Sequence, residues 1–225
     1  MIERRTDGKV RVVTLSRPDR HNALTPDGLD ELREAIEDTT EPVVYLHGAG
    51  ESFCAGADLD VVAGLDRESA VPFARRGQRV ARAIEDAPAV VVAGIDGAAR
   101  GGGVELALAC DLRVGTPAAT FAETGVTIGL FGAWGGTVRL PDQIARAEAY
   151  DLALSGRVVD AEQALRMGLV SRVVEEPRAV ADELADNDSG ALGTIKRRLR
   201  DDAEPDTQEE REAAAFGRLV AARWE

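Results

Sequence analysis

The sequence predicts an α/β protein in which short parallel strands alternate with helices. Three observations support this fold class. Runs rich in β-branched residues recur at Val10–Leu15, 42–46 and Val90–Ile95. Helical spacing of apolar residues separates these runs, and the pattern becomes almost entirely helical after Gly135. Nearly every residue of the strand at Val90–Ile95 is apolar, which is typical of a strand covered on both faces.

The first half contains a second set of local signals. Thr25 followed by Pro26 predicts the start of a helix, because threonine caps a helix and proline suits its first position. Leu29, Leu32 and Ile36 then form one apolar stripe at helical spacing. A long arginine-rich helix is expected over 68–86, and a further strand over 112–114.

The second half is read in the same way. Asp160 followed by Gln163 resembles a capping box, and Gly168 is a suitable helix end. A last short strand is expected over 170–174. The acidic tail over 181–225 is amphipathic, with candidate packing residues Phe216, Leu219 and Val220.

The composition excludes several classes of protein. The chain of 225 residues carries 27 Lys and Arg against 40 Asp and Glu, a net charge of −13. Such a surface argues against non-specific nucleic-acid binding. No apolar run is long enough for a membrane span, and two cysteines are too few for a disulfide framework, so a cytoplasmic protein is expected. Two histidines distant in sequence make a metal site with histidine and cysteine ligands an unattractive hypothesis.

The cations are strongly biased toward arginine. Lys9 and Lys196 are the only lysines in the sequence. Scarce lysine with abundant acid suits a halophilic source, and a GC-rich genome would produce the same bias. We keep halophily as a hypothesis, which equal stability in molar potassium chloride and in dilute buffer would contradict.

Two glycine-bearing loops carry the strongest functional signal. The loop around Gly56 follows the second strand, and the loop Gly101–Gly103 follows the third. Neither matches a phosphate-binding motif. Small side chains let backbone N–H groups approach a ligand oxygen, and a helix N-terminus adds its positive dipole end. The two loops together therefore predict an oxyanion hole.

Five stretches of the chain resemble the crotonase superfamily, also called the enoyl-CoA hydratase/isomerase family. They occur in the order and near the spacing of that family. The stretches are LSRPDRHNAL (15–24), GAGESFCAGADL (48–59), DGAARGGGVELALACDLRV (96–114), GAWGGTVRLP (132–141) and SGRVVDAEQALRMGLVSRVV (155–174).

The resemblance implies a crotonase-like spiral of repeated ββα turns with a helical C-terminal region. We expect a core over 1–180 with the site, and a short helical region over 181–225 for oligomer contacts. The family implies an acyl-CoA thioester substrate, coenzyme A as part of that substrate with no other cofactor, and a homotrimer or dimer of trimers. It implies neither a nucleic-acid nor a membrane partner.

Site residues follow from the same resemblance. The oxyanion-hole N–H groups would belong to Ala57 and Gly102, and the general acid/base would be Glu105. The residues that fall on substrate- or CoA-binding positions are Arg20, Ala23, Ala55, Asp58, Leu59, Gly101 and Gly125. Asp58 could equally cap the next helix. Lys196 and Arg197 are considered as partners of CoA phosphates, and Arg100 as a phosphate or carboxylate partner or a surface ion pair. Trp134 is expected to pack either in the core or at a subunit contact.

One departure from the family concerns the second glutamate of the hydratases. Its position in this chain holds Gly125, and Glu123 lies two residues earlier. In an extended segment residues 123 and 125 lie on the same face of the strand. The Glu123 side chain would therefore point in the right direction, but from a position about 6–7 Å before that of the family's second glutamate. Glu123 is therefore a candidate second acid, against the alternative of an ordinary solvated or ion-paired loop carboxylate.

The departure leaves the reaction open. Hydration needs one group to activate water and another to manage the α-proton, whereas a double-bond shift needs one mobile base. The primary hypothesis is an acyl-CoA enzyme, either a hydratase (a lyase) or an isomerase, that stabilises a thioester enolate. The alternatives are a catalytically silent acyl-CoA-binding protein and another one-base reaction, such as decarboxylation or C–C cleavage.

Overall fold

The computed structural model describes residues 1–224. The strands are β1 (Ile2–Asp7), β2 (Val10–Leu15), β3 (Val43–Gly48), β4 (Ser52–Cys54), β5 (Val90–Ile95), β6 (Ala98–Arg100), β7 (Leu112–Gly115), β8 (Thr120–Ala122), β9 (Val159–Asp160) and β10 (Arg172–Val173). The helices are α1 (Pro26–Glu37), α2 (Leu59–Ala63), α3 (Arg67–Asp86), α4 (Gly102–Ala109), α5 (Gly136–Gln143), α6 (Arg146–Ser155), α7 (Ala161–Met167), α8 (Pro177–Ala185), α9 (Ser189–Leu199) and α10 (Pro205–Trp224), with short 3-10 helices at Pro18–Arg20 and Thr124–Ile128.

The strands form two sheets, and this arrangement confirms the predicted spiral of ββα turns. One sheet has six strands in the order β1-β2-β3-β5-β7-β10, and the other has four in the order β4-β6-β8-β9. The consecutive strands β3 and β4, β5 and β6, and β7 and β8 each place one strand in each sheet before the chain turns into a helix. Because β4, β6 and β8 pair in parallel, the loops that follow them gather at one edge of the smaller sheet.

The local signals read from the sequence produce the predicted elements. Thr25 Oγ1 accepts a hydrogen bond from Gly28 N at 3.2 Å, and Leu29, Leu32 and Ile36 are buried on α1. Asp160 and Gln163 form the capping box of α7, which ends at Gly168 with φ of 79°. These contacts span only three or four residues, so the sequence pattern was sufficient to predict them.

β1 was not predicted, because its residues are mostly charged. Only Ile2 of this strand is partly buried, and the strand pairs antiparallel with β2 at the edge of the larger sheet. An exposed edge strand can be almost entirely polar, so no alternation of apolar residues marks it.

The hydrophobic core lies on both faces of the larger sheet. One cluster lies between the two sheets and helices α1, α3 and α4. The second joins β2, β3, β5 and β7 to α8, where Val180, Ala181 and Ala185 are buried. The boundary expected between residues 180 and 181 lies inside α8. Because residues before and after this boundary pack on the sheet, we propose that the spiral core extends through α8.

The C-terminal tail leaves two of its three candidate packing residues exposed in the single chain. Ala215 is the buried residue of α10, whereas Phe216 is 68% exposed and Val220 is 37% exposed. Leu219 is half-buried. The main contacts of α10 within the chain are with α9, and the expectation that Phe216 and Val220 are packing residues stays a prediction, since the region was expected to form oligomer contacts. Glu225, the end of the expected tail, lies outside the described residues.

Candidate active site

The two predicted loops meet at the edge of the smaller sheet. β4 pairs in parallel with β6, with Ser52 opposite Ala98 and Cys54 opposite Ala99. Gly56 follows β4 with φ of +85°, and a Cβ atom there would lie 2.7 Å from Gly102 N. The backbones of the two loops therefore touch, and only glycine satisfies both the conformation and the space at position 56.

The amide groups of Ala57 and Gly102 are the candidate donors to a ligand. Leu24 N donates to Gly56 O and Asp58 N donates to Leu24 O, so the loop is held on either side of Ala57. Gly102 is the first residue of α4, where N–H groups have no partner within the helix. Within residues 1–224, neither N–H has an assigned acceptor, and both residues line a cavity of about 430 Å³.

Glycine is also required at position 102, because of the packing of Trp134. Its indole is 3% exposed and lies edge-on to Phe73 of α3 at 6.0 Å. A Cβ atom on Gly102 would lie 2.4 Å from the indole ring, so any larger residue would displace the tryptophan. The prediction that Trp134 packs in the core is confirmed, and its ring forms one wall of the same cavity.

Glu105 lies in the first turn of α4 and faces this cavity. It is 2% exposed, and its Oε1 accepts hydrogen bonds from Trp134 N at 2.7 Å and Gly136 N at 2.6 Å. Burial raises the pKa of Glu105, and the two backbone N–H groups and the charge of Arg139 oppose that rise. The carboxyl is thus fixed through one oxygen only, which leaves the other for a substrate or water.

Arg139 and Glu85 hold the loop that fixes Glu105. Arg139 donates from Nη1 to Trp134 O at 3.2 Å and forms two hydrogen bonds to Glu85, at 2.8 and 2.5 Å. Neither residue was selected from the sequence, although Arg139 belongs to the family-like stretch 132–141. Glu85 and Arg139 are 54 residues apart, so no local pattern indicates their pairing.

Glu123 is a buried carboxyl with an unsatisfied oxygen. It lies where β8 ends, is 6% exposed, and its Oε1 has no hydrogen-bond partner among residues 1–224. Burial and the neighbouring charge of Glu105 raise the pKa of Glu123 to about 9. Both carboxyls line the same cavity, and a pKa of about 9 favours the protonated form of Glu123 at neutral pH.

The structure corrects two expectations about Glu123. The chain does not run extended there: Glu123 has φ of −90° and ψ of 74°, and the next five residues form a 3-10 helix. The estimate based on strand spacing is therefore wrong. The alternative of a solvated or paired carboxylate is also wrong, because the turn buries the side chain without providing a partner for Oε1. Gly125 lines the same cavity from within the 3-10 helix.

The residues expected along the CoA path divide into two groups. Ala55, Leu59 and Gly101 line the cavity. Asp58, which is 2% exposed, accepts hydrogen bonds from Asp60 N and Val61 N and from Arg17 Nη1. Its carboxylate caps α2, so the capping alternative is the one that the contacts support.

Arg20 and Ala23 lie beside this region rather than in the lining. Arg20 forms ion pairs with Asp60 and Asp58, and its side chain is 43% exposed. Ala23 is 8% exposed and precedes the bridge between Leu24 and Ala57. These residues therefore border the outer end of the oxyanion loop.

Three basic residues considered for phosphate contacts have other contacts in the structure. Lys196 is buried, donates to Ile84 O and Ala89 O, and pairs with Asp111 at 2.9 Å. Arg100 donates to Ala99 O, Thr120 O and Thr120 Oγ1, and within residues 1–224 it forms no ion pair, so the expectation of a surface ion pair was wrong. Arg197 donates to Thr194 Oγ1 at 3.3 Å.

The protonation of Glu123 predicts a pH-dependent stability. Between about pH 4.5 and pH 9 the folded chain retains a proton on Glu123 that the unfolded chain releases. The free energy of unfolding should therefore fall as pH rises through this window, by up to ~1.4 kcal/mol per pH unit from this group. Chemical unfolding of Glu123→Gln across the window should show a shallower fall. Parallel curves for this variant, the wild type and the exposed-site control Glu51→Gln would contradict the assignment.

The described residues contain neither a candidate membrane span nor a cluster of potential metal ligands. No helix within residues 1–224 has both the length and the hydropathy needed to cross a bilayer. Over the same residues, no group of three or more His, Cys, Asp or Glu side chains is arranged to hold a metal ion.

Comparisons with known proteins agree with this architecture. The sequence profile described as enoyl-CoA hydratase/isomerase matches residues 5–219. A short-chain-enoyl-CoA hydratase of Clostridium acetobutylicum is 34% identical over 94% of this chain and 86% of its own. A crotonyl-CoA hydratase of Syntrophomonas wolfei is 37% identical over 74% of this chain and 66% of its own. The crystal structure of an enoyl-CoA hydratase from Bacillus anthracis superposes with a TM-score of 0.92 at 31% identity, covering 99% of this chain and 92% of that one.

A fold of ββα turns with two loop amides and a buried glutamate at one cavity defines an acyl-CoA enzyme of the hydratase/isomerase type. The chain belongs to the enoyl-CoA hydratase/isomerase family, the crotonase superfamily.

Proposed function

We propose that this protein is a 2-enoyl-CoA hydratase in which Glu105 and Glu123 act as a pair. The observation that carries the proposal is the unpartnered, buried carboxyl oxygen of Glu123 in the cavity of Glu105. A single base would suit a double-bond shift, whereas adding water across a double bond requires two proton-handling groups. The family relatives named hydratases support the same reaction.

The oxyanion hole would bind the thioester carbonyl oxygen. The N–H groups of Ala57 and Gly102 would donate to this oxygen as it gains negative charge, and the N-terminus of α4 adds its positive dipole. One such donor contributes about 2.7–4 kcal/mol to transition-state stability in enzymes where it has been removed. No other cofactor is needed for this chemistry, since coenzyme A enters as part of the substrate.

The two carboxyls would then move the protons. The Glu105 carboxylate accepts a proton from water, and the water oxygen forms a bond to Cβ. The π electrons of the double bond shift toward the carbonyl and form the enolate. Neutral Glu123 donates its proton to Cα as the carbonyl reforms. The added atoms are those of one water molecule, and proton return from Glu105 to Glu123 through solvent restores the starting state.

The test is product analysis with crotonyl-CoA and with a 3-enoyl-CoA. We expect the purified protein to convert crotonyl-CoA to 3-hydroxybutyryl-CoA, identified by mass spectrometry, with one deuterium at Cα in deuterated water. Migration of the 3-enoyl double bond without hydration would favour a one-base isomerase. Tight acyl-CoA binding without any turnover would favour the silent-binding alternative. Loss of carbon dioxide or C–C cleavage with other acyl-CoA thioesters would favour the alternative of a different one-base reaction.

We also propose that the chain self-associates through its C-terminal helices. Leu199, Phe216 and Trp224 are 82%, 68% and 74% exposed in the single chain. Large apolar side chains left exposed on these two C-terminal helices, α9 and α10, are of the kind that a protein contact covers. Sedimentation should therefore give the mass of a trimer or a dimer of trimers, and replacing Phe216 by Glu should lower it. A monomeric mass for the unchanged protein would contradict this expectation.

A further inference from the structure

A second cavity lies behind Glu123, on the side away from the oxyanion loops. Its volume is about 320 Å³, and it lies between the 3-10 helix Thr124–Ile128, α5 and α6. Its lining is mainly apolar and includes Leu140, Ala149, Ala153 and Leu154. An apolar cavity of about 150 Å³ is sufficient to bind benzene. This cavity therefore has room for an apolar group larger than a phenyl ring.

The second cavity adjoins the candidate active site. Glu123, Phe131 and Gly132 belong to the linings of both cavities. Gly132 has no side chain, and a Cβ atom there would lie 3.0 Å from the Glu105 carboxyl. The linings of the two cavities therefore meet beside the carboxyls of Glu105 and Glu123.

The residues that line the second cavity indicate which kind of ligand group it can bind. Glu123 is the buried ionisable group among the lining residues, and its raised pKa keeps it neutral. Arg146, Tyr150 and Leu154 also contribute to the lining but are exposed, so they stand at its outer edge. A neutral, apolar group matches such an interior better than a charged one, because an unpaired charge there would lose its hydration.

We infer that this second cavity binds the apolar end of the acyl group, and that the substrates are medium-chain 2-enoyl-CoA thioesters such as 2-decenoyl-CoA. This inference rests on the proposed hydratase function. The catalytic cavity holds the thioester and the Cα–Cβ double bond, and the chain beyond Cβ occupies the second cavity. Burying one methylene group contributes about 0.8 kcal/mol, or about a fourfold gain in affinity, so chain length should strongly affect kcat/KM.

The test fills the cavity from a position remote from the carboxyls. Ala153 on α6 lines the cavity and is replaced by Phe, while the matched control is Ala147→Phe at an exposed position of the same helix. In the wild type, kcat/KM should be at least about tenfold higher for 2-decenoyl-CoA than for crotonyl-CoA. Ala153→Phe should lower the value for 2-decenoyl-CoA at least about tenfold and change that for crotonyl-CoA less than about twofold. Ala147→Phe should change neither.

Several outcomes would overturn the inference. Equal losses for the two substrates in Ala153→Phe would indicate a disturbed site, and unchanged selectivity would show that the acyl chain lies elsewhere. A changed sedimentation coefficient with unchanged selectivity would assign the cavity to a second copy of the chain. If the wild type hydrates neither substrate, the proposed function fails. In that case, calorimetric binding of decanoyl-CoA and acetyl-CoA to the wild type and to Ala153→Phe tests the cavity independently of turnover. A loss of decanoyl-CoA affinity alone would support acyl binding there, and equal affinities would contradict it.

Discussion

Replacing Glu105 by Gln should lower kcat/KM for crotonyl-CoA hydration by about 10²–10⁴-fold, the usual contribution of a general acid/base. Glutamine keeps an oxygen that can accept from Trp134 N and Gly136 N, so the loop that holds the side chain should stay in place. What the substitution removes is the ability to take a proton from water. The measurement is the initial rate of loss of the enoyl thioester, at several substrate concentrations.

Two controls make this result specific to Glu105. Glu51→Gln changes an exposed carboxylate in the loop between β3 and β4 and should leave kcat/KM unchanged. Binding of a saturated acyl-CoA to Glu105→Gln should remain within a fewfold of the wild type, because the oxyanion donors are backbone groups. Near-wild-type turnover by Glu105→Gln would remove this residue from the mechanism.

Replacing Glu123 by Gln should reduce hydration by about 10²–10⁴-fold as well, since the amide cannot deliver a proton to Cα. The pH dependence should differ from that of a one-base enzyme. Hydration by the wild type requires neutral Glu123, so kcat/KM should fall as pH rises through the pKa of about 9. The residual rate of Glu123→Gln should lack this alkaline limb.

A one-base mechanism predicts the opposite for the same variant. If Glu123 has only a structural role, Glu123→Gln should retain hydration, and its pH profile should keep the wild-type shape. Thermal unfolding of the variant at neutral pH guards against a trivial loss of folding. A folded variant with wild-type hydration would contradict the two-carboxyl proposal.

The prediction of Glu105 and the incorrect expectation for Glu123 have a common physical origin. Glu105 was identified through the resemblance of the stretch 96–114 to the enoyl-CoA hydratase/isomerase family, and its spacing from Gly102 lies within one turn of the chain. The environment of Glu123 depends on a turn into a 3-10 helix and on burial beneath residues distant in sequence. Whether a loop carboxylate is solvated cannot be read from its neighbours along the chain.

The amides that fix Glu105 show the same limit. Trp134 N and Gly136 N come from a loop 29 and 31 residues away, and that loop is held in turn by Arg139 and Glu85. The family-like stretch 132–141 marked the loop, but not its contact with α4. The second cavity could not be predicted from the sequence at all, because it is formed by the spacing between α5, α6 and a 3-10 helix.

The amino-acid pattern is sufficient to predict the alternation of strands and helices, the helix caps at Thr25 and Asp160, and the two glycine loops. These features depend on hydrogen bonds and side-chain periods that span a few residues. Only the folded chain brings Glu123 into the cavity of Glu105, raises the pKa of its carboxyl and forms a second, mainly apolar cavity beside it. Burial and electrostatic coupling depend on atoms brought together from distant parts of the chain, and no local pattern records them.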